Sequence, residues 1–359
     1  MNESRKVTIK DVAQKAGVAI STVHFALNGK PGVSDLTRRR IREAAQELGY
    51  QPNAVASSLK RGPRHIVILL PSEEGLNKYY YPELWRGVRE SLSRLTANLV
   101  CTQMPYDDGA EEEVFEELRR MAEAGEVDGI LAVGHIDRVK MTDEDWNSFE
   151  QAGIAVVFIH SPHPAGHCLC CVYPDYRIIG RTMAELVTGH IPSFGSILLC
   201  TGNPEWSSHS LIVEGFEEYL KNHGFSNMVY RDIGWTLNDA RYRRILQEVE
   251  RPDVAACCSV YSQGTIMLAR ALEDSGKASR IFAVGSDLQE ETITWIRKGV
   301  LNNTIQKNPY AQGYVGINIL ADYLVNGIVP EDKEVCVGSE VVFESNLPMY
   351  ESGRYRYLI

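Results

Sequence analysis

Residues 8–62 read TIKDVAQKAGVAISTVHFALNGKPGVSDLTRRRIREAAQELGYQPNAVASSLKRG. Thr8 is placed to cap a short helix over 9–16, with Asp11 three residues on as in a capping box. Gly17 ends that helix, and Val18-Ala19 lead into a second one over 20–27 that Asn28-Gly29 and Pro31 stop. Two short helices joined by so tight a glycine turn, with Val12, Ala16, Val18, Val23 and Leu27 to pack between them, form a helix-turn-helix unit. Ser34 caps a third helix over 35–48, where Leu36, Ile41, Ala45 and Leu48 recur at helical spacing and Arg38, Arg39, Arg40 and Arg42 supply charge. Gly49 closes it.

Working outward, 359 residues exceed a usual single domain, so two or three compact units are expected. The chain carries a net charge of −10, with its two ends of opposite sign. Residues 1–64 hold 12 Lys/Arg against 5 Asp/Glu, net +7, and the remainder hold 25 against 42, net −17. A basic unit on an acidic body fits a nucleic-acid-binding module whose electrostatics are confined to one part of the molecule. The start, MNESRKVTIKDV, is polar where a secretory signal carries an apolar core, and no apolar run approaches a membrane span; a cytoplasmic protein without a membrane partner is expected. Eight scattered cysteines, mostly in apolar stretches, are expected to stay unpaired.

Beyond residue 64, apolar runs of strand length alternate with amphipathic helical stretches, the pattern of a parallel sheet covered on both faces. Strands are predicted at 66–70, 99–103, 129–133, 155–159, 169–173, 196–200, 229–233, 254–259, 281–284 and 303–306. Helices are predicted between most of them, for example at 82–95, 111–123, 176–188, 211–223, 239–250, 263–275 and 310–326. Ten strands are too many for one ordinary doubly wound domain, so two lobes follow, with ligands at the strand ends between them.

The quoted stretch resembles the headpiece and hinge of the LacI/GalR family of repressors. The resemblance implies an all-α helix-turn-helix domain over 1–50, a hinge helix and linker over 51–64, and an effector-binding domain over 65–359. It implies that the second helix enters the major groove of DNA, with Ile20, Ser21, Thr22, His24 and Phe25 toward base edges or the adjacent backbone. Thr8, Asn28, Ser34, Thr37 and Tyr50 then hold phosphates. Asn53, Ala56 and Leu59 fall in the hinge segment, with Leu59 at the position that wedges into the minor groove. Two departures are visible. His24-Phe25 stand where the family usually has Ser-Arg, so the bidentate arginine–guanine contact is missing and a different operator is expected. Ala19 stands where a capping serine is common, a loss of about 1 kcal/mol of helix stability.

The body is similar to periplasmic sugar-binding proteins and to the sensor of the same family. Asp175-Tyr176-Arg177 with Gly180-Arg181, and then Gly215-Phe216, resemble the start of a second lobe. Ala283-Val284-Gly285-Ser286-Asp287 matches a strand end at an effector cleft, and residues 305–313, IQKNPYAQG, match the return crossover. The resemblance implies two doubly wound parallel-sheet lobes of periplasmic-binding-protein type, 65–173 with 304–332 and 174–303 with 333–359. Three crossings between them allow closure on a ligand. Asp287 is the leading effector contact, with Tyr80, Tyr81 and Trp206 as aromatic walls and Tyr261 where an asparagine is usual. Lys307, where glutamine is common, points either to an anionic effector or to simple exposure. A homodimer on a palindromic operator is expected, its affinity governed by a sugar or sugar derivative.

The residues admit two other readings. His160, His163, His167, Cys168, Cys170 and Cys171 fall within twelve residues, which suggests a metal or redox site. Cys168 and Cys171 are read on one strand, where residues three apart face opposite sides and cannot easily share an ion, so structural thiols and loop histidines are expected instead. An enzyme is disfavoured because no dinucleotide glycine motif, P-loop, nucleophile elbow or H-E-x-x-H occurs. No catalytic residue, metal or cofactor is expected.

Overall fold

A computed structural model describes residues 9–27, 33–48, 62–95, 98–107, 109–136, 139–163 and 168–351. Thr8, Asn28, Tyr50, Asn53, Ala56 and Leu59, with the rest of the expected hinge helix, lie outside the described residues. Two compact units make up the chain.

The first unit contains α1 (Ile9–Ala16), α2 (Ile20–Leu27) and α3 (Asp35–Glu47). Gly17 ends α1 at φ 63°, donating to the Gln14 carbonyl while Val18 donates to that of Ala13. Both bonds are those of a Schellman cap, which a left-handed residue makes possible. Val12, Ala13, Ala16, Val23, Ala26, Ile41, Ala44 and Ala45 form the buried core, with Val18, Val33 and Leu48 against it. Leu36 does not join them and is 80% exposed. Five residues separate it from Ile41, which at about 100° per residue turns it well away from the buried stripe. The Arg38 guanidinium donates to the Ala26 carbonyl at 2.9 Å, tying α3 to the end of α2.

The second unit holds two six-stranded sheets. In chain order the strands are β1 (Arg64–Pro71), β2 (Leu99–Tyr106), β3 (Gly129–Val133), β4 (Ala155–Ile159), β5 (Cys170–Pro174), β6 (Ser196–Gly202), β7 (Val229–Ile233), β8 (Val254–Ser259), β9 (Phe282–Ser286), β10 (Asn303–Gln306), β11 (Glu334–Val337) and β12 (Glu340–Val342). One sheet runs β11-β5-β4-β3-β1-β2 and the other β12-β10-β9-β8-β6-β7. Within them β1 and β3, β4 and β5, and β8 and β9 pair in parallel, while β12 alone among the described pairings runs antiparallel, to β10. The connecting helices are α4 (Tyr81–Arg94), α5 (Glu112–Glu123), α6 (Asp143–Gln151), α7 (Tyr176–Thr188), α8 (Ser207–Asn222), α9 (Asp239–Val249), α10 (Ser262–Asp274), α11 (Glu290–Arg297) and α12 (Pro309–Asn326), followed by the short α13 (Leu347–Glu351). The run Ile66 to Leu70 is buried throughout, as expected of a strand with helices on both faces.

Helices α7 and α8 meet at two glycines. A Cβ on Gly180 would strike the Ile212 carbonyl, and one on Gly215 the Arg177 carbonyl. These two positions therefore let the backbones touch.

The lobe boundaries differ from the sequence expectation. Residues 304–306 belong to β10, paired to β9 in the second sheet, so the chain returns to the first lobe only after Gln306. Residues 334–337 form β11, paired in parallel to β5, so this part of the expected second-lobe tail completes the first sheet. Neither short strand, β11 or β12, carried a long apolar run.

Candidate functional site

Seven strands of the second unit end on one cavity of about 840 Å³, through Pro71, His135, His160, Asn203, Tyr261, Asp287 and Lys307. Carboxyl ends of parallel strands are where an open α/β sheet leaves a crevice. Tyr80, Tyr81, Trp206, Tyr261, Asp287 and Lys307 all line it, so every effector candidate from the sequence is brought to one place.

Asp287 leaves β9 at φ 67°, in a region that L-residues enter at a cost of about 1–3 kcal/mol. His160 (φ 70°) and Asn308 (φ 50°) sit just beyond strand ends in the same way. The Asp287 Oδ2 accepts from Ser262 Oγ at 2.6 Å and faces Lys307 Nζ at 3.1 Å. Its Oδ1 is buried with no hydrogen-bond partner. Lys307 also donates to the Val260 carbonyl at 3.2 Å and is 3% exposed. Exposure therefore does not explain this lysine, and its charge is taken up by Asp287. Behind them Gln312 Nε2 donates to the Lys307 carbonyl at 2.7 Å and to Tyr80 Oη at 2.9 Å.

Two histidines in the lining, His135 and His209, were not singled out from the sequence, and His160 was noted only within a possible metal or redox cluster. His135 Nε2 and Tyr81 Oη lie 3.0 Å apart, and the His209 Nδ1 accepts from the Asn203 amide at 3.0 Å. The Tyr176 hydroxyl donates to the His160 carbonyl. Burial lowers the His135 pKa to about 4. His160 is held well below its ordinary value by burial and then by the charges of His135 and Lys307. His209 is held down by burial and then by Lys307 and His135. At neutral pH all three rings are uncharged, and the Nδ1 atoms of His135 and His160 are buried without a hydrogen-bond partner. Trp206 spans the group, its ring 5.2 Å from His135, 5.1 Å from His209 and 5.3 Å from Trp235. Strand position was the signal available: His160 directly follows β4 and His135 lies two residues beyond β3.

In the first unit, Ile20 and Phe25 are 44% and 42% exposed on α2. Ser21 is exposed beside them and Thr22 half-buried, while His24 lies within the same helix. Ser34 Oγ accepts from the Thr37 amide at 3.3 Å and lies 2.9 Å from its hydroxyl, capping α3.

The expectation that Cys168 and Cys171 face apart is corrected. β5 begins at Cys170, so Cys168 sits in the preceding bend and the two sulfurs approach to 3.7 Å. Among the described residues, no group of three or more His, Cys, Asp or Glu is placed to hold a metal ion. No helix among them is long and apolar enough to cross a membrane.

Residues 8–53 match the family of bacterial regulatory proteins of the lacI type, and residues 74–327 match the periplasmic binding protein domain. Catabolite control protein A of Staphylococcus aureus is 25% identical over 341 residues, covering 92% of this chain and 96% of that protein. The crystal structure of GanP, a glucose-galactose binding protein from Geobacillus stearothermophilus, superposes with a TM-score of 0.68 at 21% identity, covering 80% of this chain and 100% of that one. The lac repressor dimer bound to operator and the anti-inducer ONPF superposes with a TM-score of 0.60 at 21% identity, covering 94% and 98%. These matches are to regulatory and binding proteins, not to enzymes. The chain belongs to the lacI family of bacterial regulatory proteins, a helix-turn-helix unit joined to a periplasmic-binding-protein domain.

Proposed function

We propose that the chain is a homodimeric transcriptional repressor whose affinity for a palindromic operator is set by an uncharged sugar bound in the 840 Å³ cleft. The observation that carries the effector half is the charge state of the lining. Asp287 and Lys307 cancel each other, Glu111 and Lys140 form a second pair at 2.7 Å, and His135, His160 and His209 are held neutral. What remains are polar atoms without partners, the Asp287 Oδ1 and the Nδ1 atoms of His135 and His160, beside the Trp206 face. A carboxylate accepts from a hydroxyl, a neutral imidazole donates or accepts, and an indole face suits C–H surface. A phosphorylated or acidic sugar finds no uncompensated cation among these groups. The sugar named in the GanP structure fits the same expectation.

The DNA half rests on the basic first 64 residues, the exposed Ile20–Phe25 surface and the operator-bound lac repressor dimer of the same fold. In this reading Ile20, Ser21, Thr22, His24 and Phe25 address the major groove, and Thr8, Asn28, Ser34, Thr37 and Tyr50 the phosphates. Asn53, Ala56 and Leu59 belong to the hinge helix at the minor groove. Lobe closure about the three crossings changes the spacing of the two hinge helices, so effector and operator are coupled. The test is calorimetric titration with a panel of neutral, acidic and phosphorylated sugars, followed by footprinting with each binder. A neutral sugar that binds and shifts a two-fold footprint is the expected result; binding by sugar phosphates alone overturns the effector class.

A further inference from the structure

We propose that Cys168 and Cys171 form a reactive dithiol that a low-molecular-weight disulfide oxidises to an intramolecular disulfide. The sulfurs lie 3.7 Å apart, already a near contact, because Cys168 stands in the bend that enters β5 while Cys171 stands within it. Closing to a disulfide of about 2.05 Å requires the side chains to approach by less than two ångströms. Lys333 lies alongside, its ammonium donating to the Cys168 carbonyl at 2.7 Å and its carbonyl accepting from the Cys171 amide at 2.8 Å. A partly exposed thiol beside a cation is the environment in which thiolates form.

The other cysteines lack this setting. Cys200, Cys257 and Cys258 are fully buried, and burial pushes their thiols up. Cys170 is buried on the opposite face of β5 and is pushed up to about 12, by burial first. At the pair, contact with Cys168 and the His163 amide pull the Cys171 thiol down to about 7, against its burial.

The reaction balances as two exchanges. The hydrogen bond to Cys171 and then burial hold the Cys168 thiol up, so Cys168, the more exposed residue, passes its proton to the Cys171 thiolate as it attacks one sulfur of the small disulfide, expelling a thiolate and leaving a mixed disulfide. Cys171, its proton passed to the expelled small thiolate, then attacks Cys168 Sγ and expels the second small thiolate. The two protein thiols lose two protons and two electrons, and the small disulfide gains both as two thiols. The new bond sits at the start of the strand whose Val172 carbonyl accepts from the His160 amide at 3.1 Å, one strand from the cleft.

The test uses the full-length chain carrying Cys336→Ser, which removes the exposed thiol of β11, incubated with glutathione disulfide near neutral pH. Alkylation and peptide mapping without reductant follow. The expected product is a Cys168–Cys171 crosslink, reversed by dithiothreitol, formed before any modification of Cys200, Cys257 or Cys258. Adding Cys171→Ser should trap the mixed disulfide on Cys168, whereas adding Cys168→Ser should abolish the crosslink. Recovery of both thiols free, or a stable mixed disulfide on Cys168 while Cys171 is present, overturns the proposal. The parent protein alone decides this if either variant fails to fold.

Discussion

The Lys307 ammonium sits 3.1 Å from Asp287 Oδ2, with the two side chains 4% and 3% exposed. The pair joins the ends of two neighbouring strands of one sheet, β9 and β10. Removing one partner of a buried pair strands the other charge, at about 3–5 kcal/mol. Asp287→Ala should lower stability by that order and abolish the effector response while DNA binding persists. Urea denaturation with and without effector, and a gel-shift titration, check this. A mutant that still responds to effector contradicts the pocket assignment.

Trp206 touches His135, His209 and Trp235 by its ring edges and faces. Aromatic contacts of this kind are worth about 0.5–1.5 kcal/mol beyond area. Trp206→Ala should therefore weaken effector affinity roughly threefold to tenfold or more as area is lost as well, and Trp206→Phe should restore most of it. Calorimetry measures both; an unchanged Kd for the alanine variant removes Trp206 from the site.

The three cleft histidines set a pH dependence whose sign is fixed. Each is held below its ordinary value in the folded chain, so the unfolded chain takes up protons first. Their contribution is complete above the unfolded value of about 6.5. It is lost as pH falls from there toward the folded value, which for His135 is about 4. Each ring costs up to about 1.4 kcal/mol per pH unit in that window. Denaturation midpoints at descending pH should fall more steeply for the parent than for His135→Gln, and equal slopes would contradict the buried neutral ring.

Gly215 and Gly180 allow α7 and α8 to meet backbone to backbone. Gly215→Ala should cost about 1–3 kcal/mol by forcing the helices apart. Thermal unfolding with Gly224→Ala as a partner tests this, since at Gly224 (φ 71°) a Cβ meets nothing and only backbone strain operates.

Much of this architecture was legible because long apolar runs announce buried parallel strands, and all ten strands expected from the sequence have counterparts. The short β11 and β12 did not announce themselves; Glu334–Val337 and Glu340–Val342 are too brief for a period. Helix α6 is weakly announced because Trp146 and Phe149 alone are buried among polar residues, although Thr142 and Asp145 form a capping box there. Asp287 and Lys307 were found because they stand on matched family positions. His135 and His160 stand just beyond two strands and His209 in the first turn of α8, with no spacing to link them, and only the fold brings them together. Cys168 and Cys171 were misjudged by a shift of one or two residues in the start of β5, enough to take one thiol out of the pleat.

The proposed DNA contact rests on one surface, the exposed Ile20 and Phe25 of the basic unit, with Leu59, outside the described residues, proposed beside it. The most direct measurement is footprinting of the full-length chain on duplexes selected from a random pool, beside Phe25→Ala and Leu59→Ala. The account predicts a two-fold protected site that responds to a neutral sugar. It also predicts that each variant loses operator affinity while keeping its calorimetric sugar binding. Selection that yields no preferred duplex, with or without sugar, would contradict it.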